Sequence, residues 1–330
     1  MEFPDVADGL VPALLTRVDR SAYDVLTPGG ALRVPALPPP PDPRDAPTVG
    51  DWLALAPVGL AVEEVLPRSS LLVRGTARGT SVGQPLAANV DHVLVCLGLS
   101  GPLPLRRLER LLTLAWESGA VPVVVLTKSD LCADVEAAVR EVAPHAPGCD
   151  VVAVSAATGD LAGLAPYASS TLVLLGASGA GKSTVVNALM GAAVMAVNGI
   201  RDADGKGRHT TSHRELLLLP TGGVVIDTPG LRGVALHAAD DGLALAFSDV
   251  EDLASACKFA DCAHVGEPGC AVLASVEGGD LGQDRVDAWR KLQRELAFQA
   301  RRTDARLRSE ESKRWKAISK AQRAHYRGRP

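Results

Sequence analysis

Aromatic side chains are scarce in this chain: four Trp, three Tyr and four Phe in 330 residues. A core of ordinary size must therefore be assembled from Val, Leu and Ala, and the length predicts two or three domains. A basic N-terminal leader is missing too, since MEFPDVADG is acidic where a secretory signal would be positive. No run is long and apolar enough for a membrane span. The longest uncharged stretch, Leu161 to Gly181, holds Pro166 and several glycines. Six cysteines are too few for a disulfide scaffold of this length, and three of them cluster. These absences predict a cytoplasmic protein without membrane contact.

Charge is unevenly spread. Residues 285–330 hold 15 Lys and Arg against 5 Asp and Glu, whereas residues 1–86 hold 7 basic and 10 acidic. A basic tail on an acidic body predicts a polyanionic partner for the tail. Residues 14–78 read as short strands separated by turns: Leu14–Val18, Tyr23–Leu26, Ala31–Val34, 51–55 and Leu60–Val65. Pro28-Gly29-Gly30 is a hairpin signal, and prolines crowd the loop from Pro38 to Pro43. This pattern predicts a small β-barrel of OB-fold type over residues 1–80, with Arg68, Arg74 and Arg78 available to phosphate.

From Ala87 strands alternate with helices. Strands are expected at 91–97, 122–126, 151–154 and 171–175, with helices at Leu105–Trp116 and Leu131–Val142. That alternation predicts a parallel α/β sheet, which binds ligands beyond the carboxyl ends of its strands. The fourth strand ends in Gly176-Ala177-Ser178-Gly179-Ala180-Gly181-Lys182-Ser183-Thr184, a phosphate loop. Its backbone N–H groups can wrap a β-phosphate at a helix N-terminus. Lys182 can bridge the β- and γ-phosphates, and Ser183 can ligate Mg²⁺.

Other strand ends carry matching chemistry. Thr127-Lys128-Ser129-Asp130 places a carboxylate that can accept from both N1–H and the exocyclic amine of guanine, with the Lys128 stem across the base. Ser155-Ala156 follows the next strand. A glycine- and charge-rich loop over 194–209 leads to His209-Thr210-Thr211. Thr211, with Thr210 beside it, can close on Mg²⁺ and the γ-phosphate. A hairpin, Leu216–Leu219 with Gly223–Ile226, delivers Asp227-Thr228-Pro229-Gly230. Asp227 would hold Mg²⁺ through water and the Gly230 N–H would meet the γ-phosphate. The following residue is Leu231, which cannot orient water. The side chains offered for hydrolysis are therefore Lys182, Thr211 and His209, the last able to orient or deprotonate water.

Downstream, Cys257, Cys262, His264 and Cys270 supply three thiolates and one imidazole within fourteen residues. Such a set closes a tetrahedral site and predicts one structural Zn²⁺. Cys96, Cys132 and Cys149 read as packing residues. Trp289, Leu292, Leu296 and Phe298 begin a helical pattern, and the basic run Arg301–Arg329, with Trp315 and Tyr326 interleaved, is suited to RNA phosphate.

The motifs occur in the order base recognition, Ser-Ala, phosphate loop, switch threonine, DTPG. With LAANVD at 86–91 and GRHTTSHREL at 207–216, this resembles the circularly permuted, ribosome small-subunit-dependent GTPases of the RsgA/YjeQ family. The resemblance implies three domains: an N-terminal OB-fold (1–80), a permuted P-loop GTPase domain (81–240) and a mainly helical zinc domain (241–330). It also implies GTP with Mg²⁺ as ligand and zinc on the same four residues. Its implied partners are the small (30S) ribosomal subunit and its rRNA, in late maturation, and the protein is expected to act as a monomer. The alternative is a GTP-gated RNA chaperone in which hydrolysis is incidental.

Overall fold

The computed structural model describes residues 3–74, 83–195, 215–227 and 240–303. Five strands come first: β1 (Val11–Val18), β2 (Ala22–Thr27), β3 (Gly30–Pro35), β4 (Trp52–Leu55) and β5 (Val62–Val65). They pair antiparallel in the order 3-2-1-4-5, that of an OB-type barrel. Inward-facing Ala13, Leu15, Tyr23, Val25, Val34, Leu53 and Leu55 form a core that belongs to this unit alone. One edge of β1 takes β2. The other takes β4 over Val11–Leu14 and is then free to pair elsewhere.

Next comes a hairpin not foreseen from the sequence, β6 (Leu71–Arg74) with β7 (Gln84–Ala88). It straddles residue 80, yet Leu72, Leu86 and Ala87 are buried in the core of the α/β domain, so packing assigns the hairpin to that domain. The arginines proposed for phosphate are differently used. Arg68 donates to Asp51 and to the carbonyls of Arg44 and Ala46, and Arg74 donates to Gln84. Asp51 is fully buried, which makes Arg68 its neutralising partner. Arg78 lies outside the described residues.

The α/β domain comprises β8 (His92–Gly98), α1 (Leu105–Glu117), β9 (Val121–Thr127), α2 (Val135–Val142), β10 (Asp150–Val154), β11 (Thr171–Gly176), α3 (Lys182–Met190), β12 (Glu215–Leu218) and β13 (Val224–Asp227). The parallel strands run in the order 10-9-8-11-13, and β12 adds antiparallel to β13. Alternate residues feed opposite faces, Val93 and Val95 to one core, Leu94 and Cys96 to the other. α2 starts at Val135 rather than Leu131, because the Asp134 carboxylate caps it by accepting from the Ala137 N–H. The barrel joins this sheet directly, for β1 pairs with β12 at Arg17–Glu215.

Four helices complete the described chain: α4 (Asp240–Ala246), α5 (Ser248–Ser255), α6 (Ala271–Gly278) and α7 (Gln283–Thr303). Among the described residues they form no core of their own. Leu243, Phe247, Val250, Val272, Val286, Trp289, Leu292 and Leu296 share one buried cluster with Val95, Leu108 and Leu112. Phe298, expected on the apolar stripe, is instead half exposed. α1 is therefore covered on two sides, and even its Glu109 is buried. Gly242 shows why contact is so close: a Cβ there would stand 2.3 Å from the Thr113 carbonyl oxygen. No helix among the described residues is long and apolar enough to cross a membrane.

Candidate functional site

Register explains how the motifs meet. Gly98 lies opposite Thr127, Val154 opposite Thr127, and Cys96 opposite Gly176, so the parallel strands end at one level. Thr171–Gly176 is buried strand, and the chain must then reverse over its neighbour. Gly176 makes that possible. Its φ is +149°, and a Cβ there would stand 2.5 Å from the Cys96 carbonyl oxygen. After the turn Lys182 opens α3, and its Nζ donates to the carbonyls of Gly176 (3.0 Å) and Ala177 (2.7 Å). The ammonium thus lies across the loop whose N–H groups would face phosphate. Ser183 and Thr184 stand in the first turn of α3.

The base-recognition tetrapeptide sits at the end of β9. Lys128 adopts a left-handed conformation (φ 60°), which turns the chain into the short helical turn Ser129–Leu131. Its Nζ reaches Ser100 Oγ at 3.4 Å. Asp130 Oδ1 accepts a 2.6 Å bond from Ser155 Oγ, so one residue of the Ser-Ala pair aims the carboxylate of the other loop. Ser155 is itself fixed, because its N–H donates to the Asp160 carbonyl. Ala156, beside it, is half buried.

Thr127 holds a part that sequence reasoning missed. It is 2% exposed, and its hydroxyl donates to the Ala180 carbonyl at 2.8 Å, with Leu97 O at 3.3 Å as a weaker second acceptor. It ties the base loop to the phosphate loop. A hydroxyl one strand away from a glycine turn was the available signal, but only the β8–β9–β11 neighbourhood reveals its partner. LAANVD likewise proves to be a fastener. Asn89 accepts from the Ser69 N–H and donates to the Gly50 carbonyl, while Asp91 accepts from the Thr171 N–H.

Asp227 ends β13, the strand next to β11. Burial pushes its carboxyl above the ordinary value; nearby Lys182 opposes that shift and Glu215 adds to it. A carboxylate that burial disfavours and a lysine only partly offsets is suited to a divalent cation. Ser183 and Asp227 are the donors the described residues offer for Mg²⁺. His209, Thr210, Thr211, Gly230 and Leu231 lie outside the described residues.

The second cluster is 257–270. One ligand atom each from Cys257, Cys262, His264 and Cys270 lie within 4.8 Å of one another. Cys257 Sγ is 3.5 Å from His264 Nδ1 and 3.9 Å from Cys270 Sγ, and His264 Nδ1 is 3.4 Å from Cys270 Sγ. Tetrahedral Zn²⁺ with bonds of about 2.1–2.3 Å requires donor separations of roughly 3.4–3.8 Å, so the set fits that ion. Surrounding bonds hold the loop. The Leu273 N–H donates to Cys270 Sγ, Arg290 donates to the His264 carbonyl, and Glu267 accepts from the N–H groups of Ala263, Val265 and Gly266. Those backbone donors, including its own N–H, hold the Glu267 carboxyl down at about 2.

A phosphate loop after β11, the Thr127–Asp130 turn held by Ser155 after β9, and Asp227 at the end of β13, in permuted order on one parallel sheet, are the arrangement of a circularly permuted P-loop GTPase. A family model described as RsgA GTPase matches residues 65–237. The chain is 51% identical over 323 residues to the small ribosomal subunit biogenesis GTPase RsgA of Streptomyces avermitilis, covering 95% of this chain and 87% of that one. To the RsgA of Streptomyces coelicolor it is 50% identical over 336 residues, covering 98% and 92%. Among solved structures it resembles YjeQ from Thermotoga maritima, with a TM-score of 0.63, 25% identity and coverage of 87% and 98%. YloQ, a circularly permuted GTPase, matches with the same score and identity over 89% of this chain and 98% of that one. The chain belongs to the RsgA GTPase family.

Proposed function

We propose that this GTPase couples GTP hydrolysis to late maturation of the small ribosomal subunit, binding the particle in one nucleotide state and leaving in another. The observation that carries the guanine part is the Ser155–Asp130 bond beside the phosphate loop, which presents one carboxylate to a base edge. The ribosomal part rests on the names of relatives half identical over nearly the whole chain. The working division is barrel, GTPase domain and zinc-bearing helices at 1–80, 81–240 and 241–330. The β6–β7 hairpin argues for moving the first junction to near residue 70.

In this reading Gly176–Gly181 cradle the phosphates, Lys182 bridges β and γ, and Thr127, Lys128, Ser129, Asp130, Ser155 and Ala156 build the base pocket. Ser183, Asp227 and Thr211 would hold Mg²⁺, which would supply charge neutralisation at the phosphates. His209 orients the attacking water in the position Leu231 leaves unserved. Zn²⁺ on Cys257, Cys262, His264 and Cys270 is structural, because four protein donors leave no open position. Small-subunit rRNA is the polyanion for the basic C-terminal residues, and the protein works as a cytoplasmic monomer.

The test is GTP turnover with purified small subunits, large subunits and neither. Stimulation of about 10³-fold or more by small subunits alone is expected, the scale of completing a GTPase site in trans. Equal turnover in all three would favour a binding module. His209→Ala should lose the stimulation while keeping nucleotide and subunit binding; retained turnover would remove His209 from the mechanism.

A further inference from the structure

Five charged residues stand in a row across the sheet that joins barrel and GTPase domain. The strand registers pair Arg33 with Asp24, Asp24 with Arg17, Arg17 with Glu215, and Glu215 with Asp227. Residues directly opposite each other in antiparallel pairs present their side chains on the same face, with Cβ atoms about 4.5–5.5 Å apart. The row therefore runs over β3, β2, β1, β12 and β13 with signs plus, minus, plus, minus, minus. Its last member is the aspartate of the nucleotide site, and Lys182 lies near it.

A local irregularity puts Arg17 in that row. Leu15 is opposite Val25 and both are buried in the barrel. Strict alternation would turn Arg17 inward after Leu15. A bulge between Leu15 and Arg17 shifts the register by one, so Arg17 meets Asp24 on the outer face and Val18 meets Tyr23 on the core side. Bulges re-aim side chains in this way and are common beside active sites. On the outer face Arg17 Nε stands 3.5 Å from Asp19 and 4.0 Å from Asp24, yet it is buried without a hydrogen-bond partner among the described residues. Arg33, by contrast, is firmly held by Asp19 (2.7 Å) and Asp24 (2.6 Å). Those two carboxylates are thus shared, and across the strand on the other side of Arg17 is exposed Glu215.

We propose that Arg17 and Glu215 are positioning residues for the divalent cation of the nucleotide site. Glu215 adds negative potential beside Asp227, and the barrel, through Arg17, offsets it. The barrel in this way sets how tightly the GTPase site holds its metal, and an anion that draws Arg17 away would tighten it. This rests on the reading of Asp227 as the Mg²⁺ aspartate. Magnitude depends on distance. A carboxylate about 7 Å from a divalent ion in high dielectric contributes roughly 1 kcal/mol, about fivefold in affinity. Arg17, one strand further away, is partly screened at physiological salt and has a smaller effect.

The experiment is a Mg²⁺ titration of fluorescent GDP retention by the full-length protein, with dissociation in EDTA as the metal-free reference. Glu215→Gln should raise the Mg²⁺ midpoint roughly three- to tenfold, and Glu215→Asp should restore it. Arg17→Gln should move the midpoint the opposite way, by roughly twofold, in the wild-type and in the Glu215→Gln background alike. The metal-free dissociation rate should be the same throughout, which a merely structural role would not preserve. Asp227→Asn serves as the control for the parent reading. If it leaves the Mg²⁺ dependence intact, Asp227 is not the metal residue. If it abolishes the dependence while Glu215→Gln and Arg17→Gln shift nothing, or shift it in the same direction, the proposal is overturned.

Discussion

The two regions flanking the nucleotide-binding sheet are attached to different degrees: both reach into its core, but only one keeps a core of its own. The barrel has a core of its own, and it meets the GTPase domain through backbone pairing at Arg17–Glu215, the Asn89 bonds to Ser69 and Gly50, and Leu14 and Val49, which are buried in the GTPase domain's cluster. The C-terminal helices have no separate core and share that of α1. Charge reinforces this. Buried Arg285 donates to Asp249, to the Ala246 carbonyl and to Glu109 of α1, and Glu109 also holds His145, just beyond α2. Arg110 of α1 makes a two-point pair with Glu295 at 2.6 and 2.7 Å. The difference teaches that the C-terminal helices depend on the core around α1, whereas the barrel adds a core of its own to the contacts it shares. In a permuted chain that is reasonable. In sequence these helices follow the strand that ends at Asp227, and they cover a face of α1 that would otherwise meet water.

Removing each region in turn should separate the two cases most sharply. Deleting residues 240–330 uncovers the second face of α1 and should abolish folding, while deleting 1–66 should leave a protein that binds GDP. Circular dichroism and nucleotide binding read both, and two equally folded truncations would erase the distinction. Cys262→Ser comes next. Zinc binding supplies about 10–16 kcal/mol in small zinc modules, and here part of that loss should reach α1 through Cys270 and Trp289, both in the shared core. Metal analysis should show no zinc. Calorimetry should show the main transition, not a minor separate one, falling in temperature. Glu109→Ala is smaller but still large, because Arg285 is only 3% exposed and keeps one of its two carboxylate partners. A cost of about 3 kcal/mol is expected, and an effect under about 0.5 kcal/mol in denaturant unfolding would mean the contact carries little of the attachment. Smallest is Asn89→Ala, which removes one tie to the barrel at a cost of about 1–2 kcal/mol. Hydrogen exchange should rise at Gly50 and Ser69 while α1 stays protected, and a uniform rise would contradict modular attachment.

Local motifs were readable because their function needs particular residues at particular spacings. The order of TKSD, phosphate loop and DTPG pointed to a permuted GTPase without knowledge of any contact, and a strand–glycine–helix pattern of this kind has few other uses. The cluster of three Cys and one His was readable for the same reason, all four side chains falling within fourteen residues and converging in the fold. Where polar residues serve distant partners, the sequence misled or was silent. Arg68 reads as a phosphate contact and Thr127 as a base-pocket residue, while nothing in the sequence singles out Glu109. Glu109 is committed to Arg285 and Arg68 to Asp51, and Thr127 also donates to the Ala180 carbonyl.

By itself the amino-acid sequence determined most of the strands, the glycine turns and the permuted order of the GTPase motifs, since each depends on conformational and chemical preferences acting over a few residues. Tertiary structure alone decided three things. It placed the C-terminal helices in the core of α1, set the bulge that turns Arg17 outward, and joined barrel and GTPase sheet into one charged row. Those outcomes depend on which surfaces exclude water together and on the register between strands about 200 residues apart in the chain. A one-residue slip would reverse which face Arg17 occupies, and no local pattern in the sequence records that register.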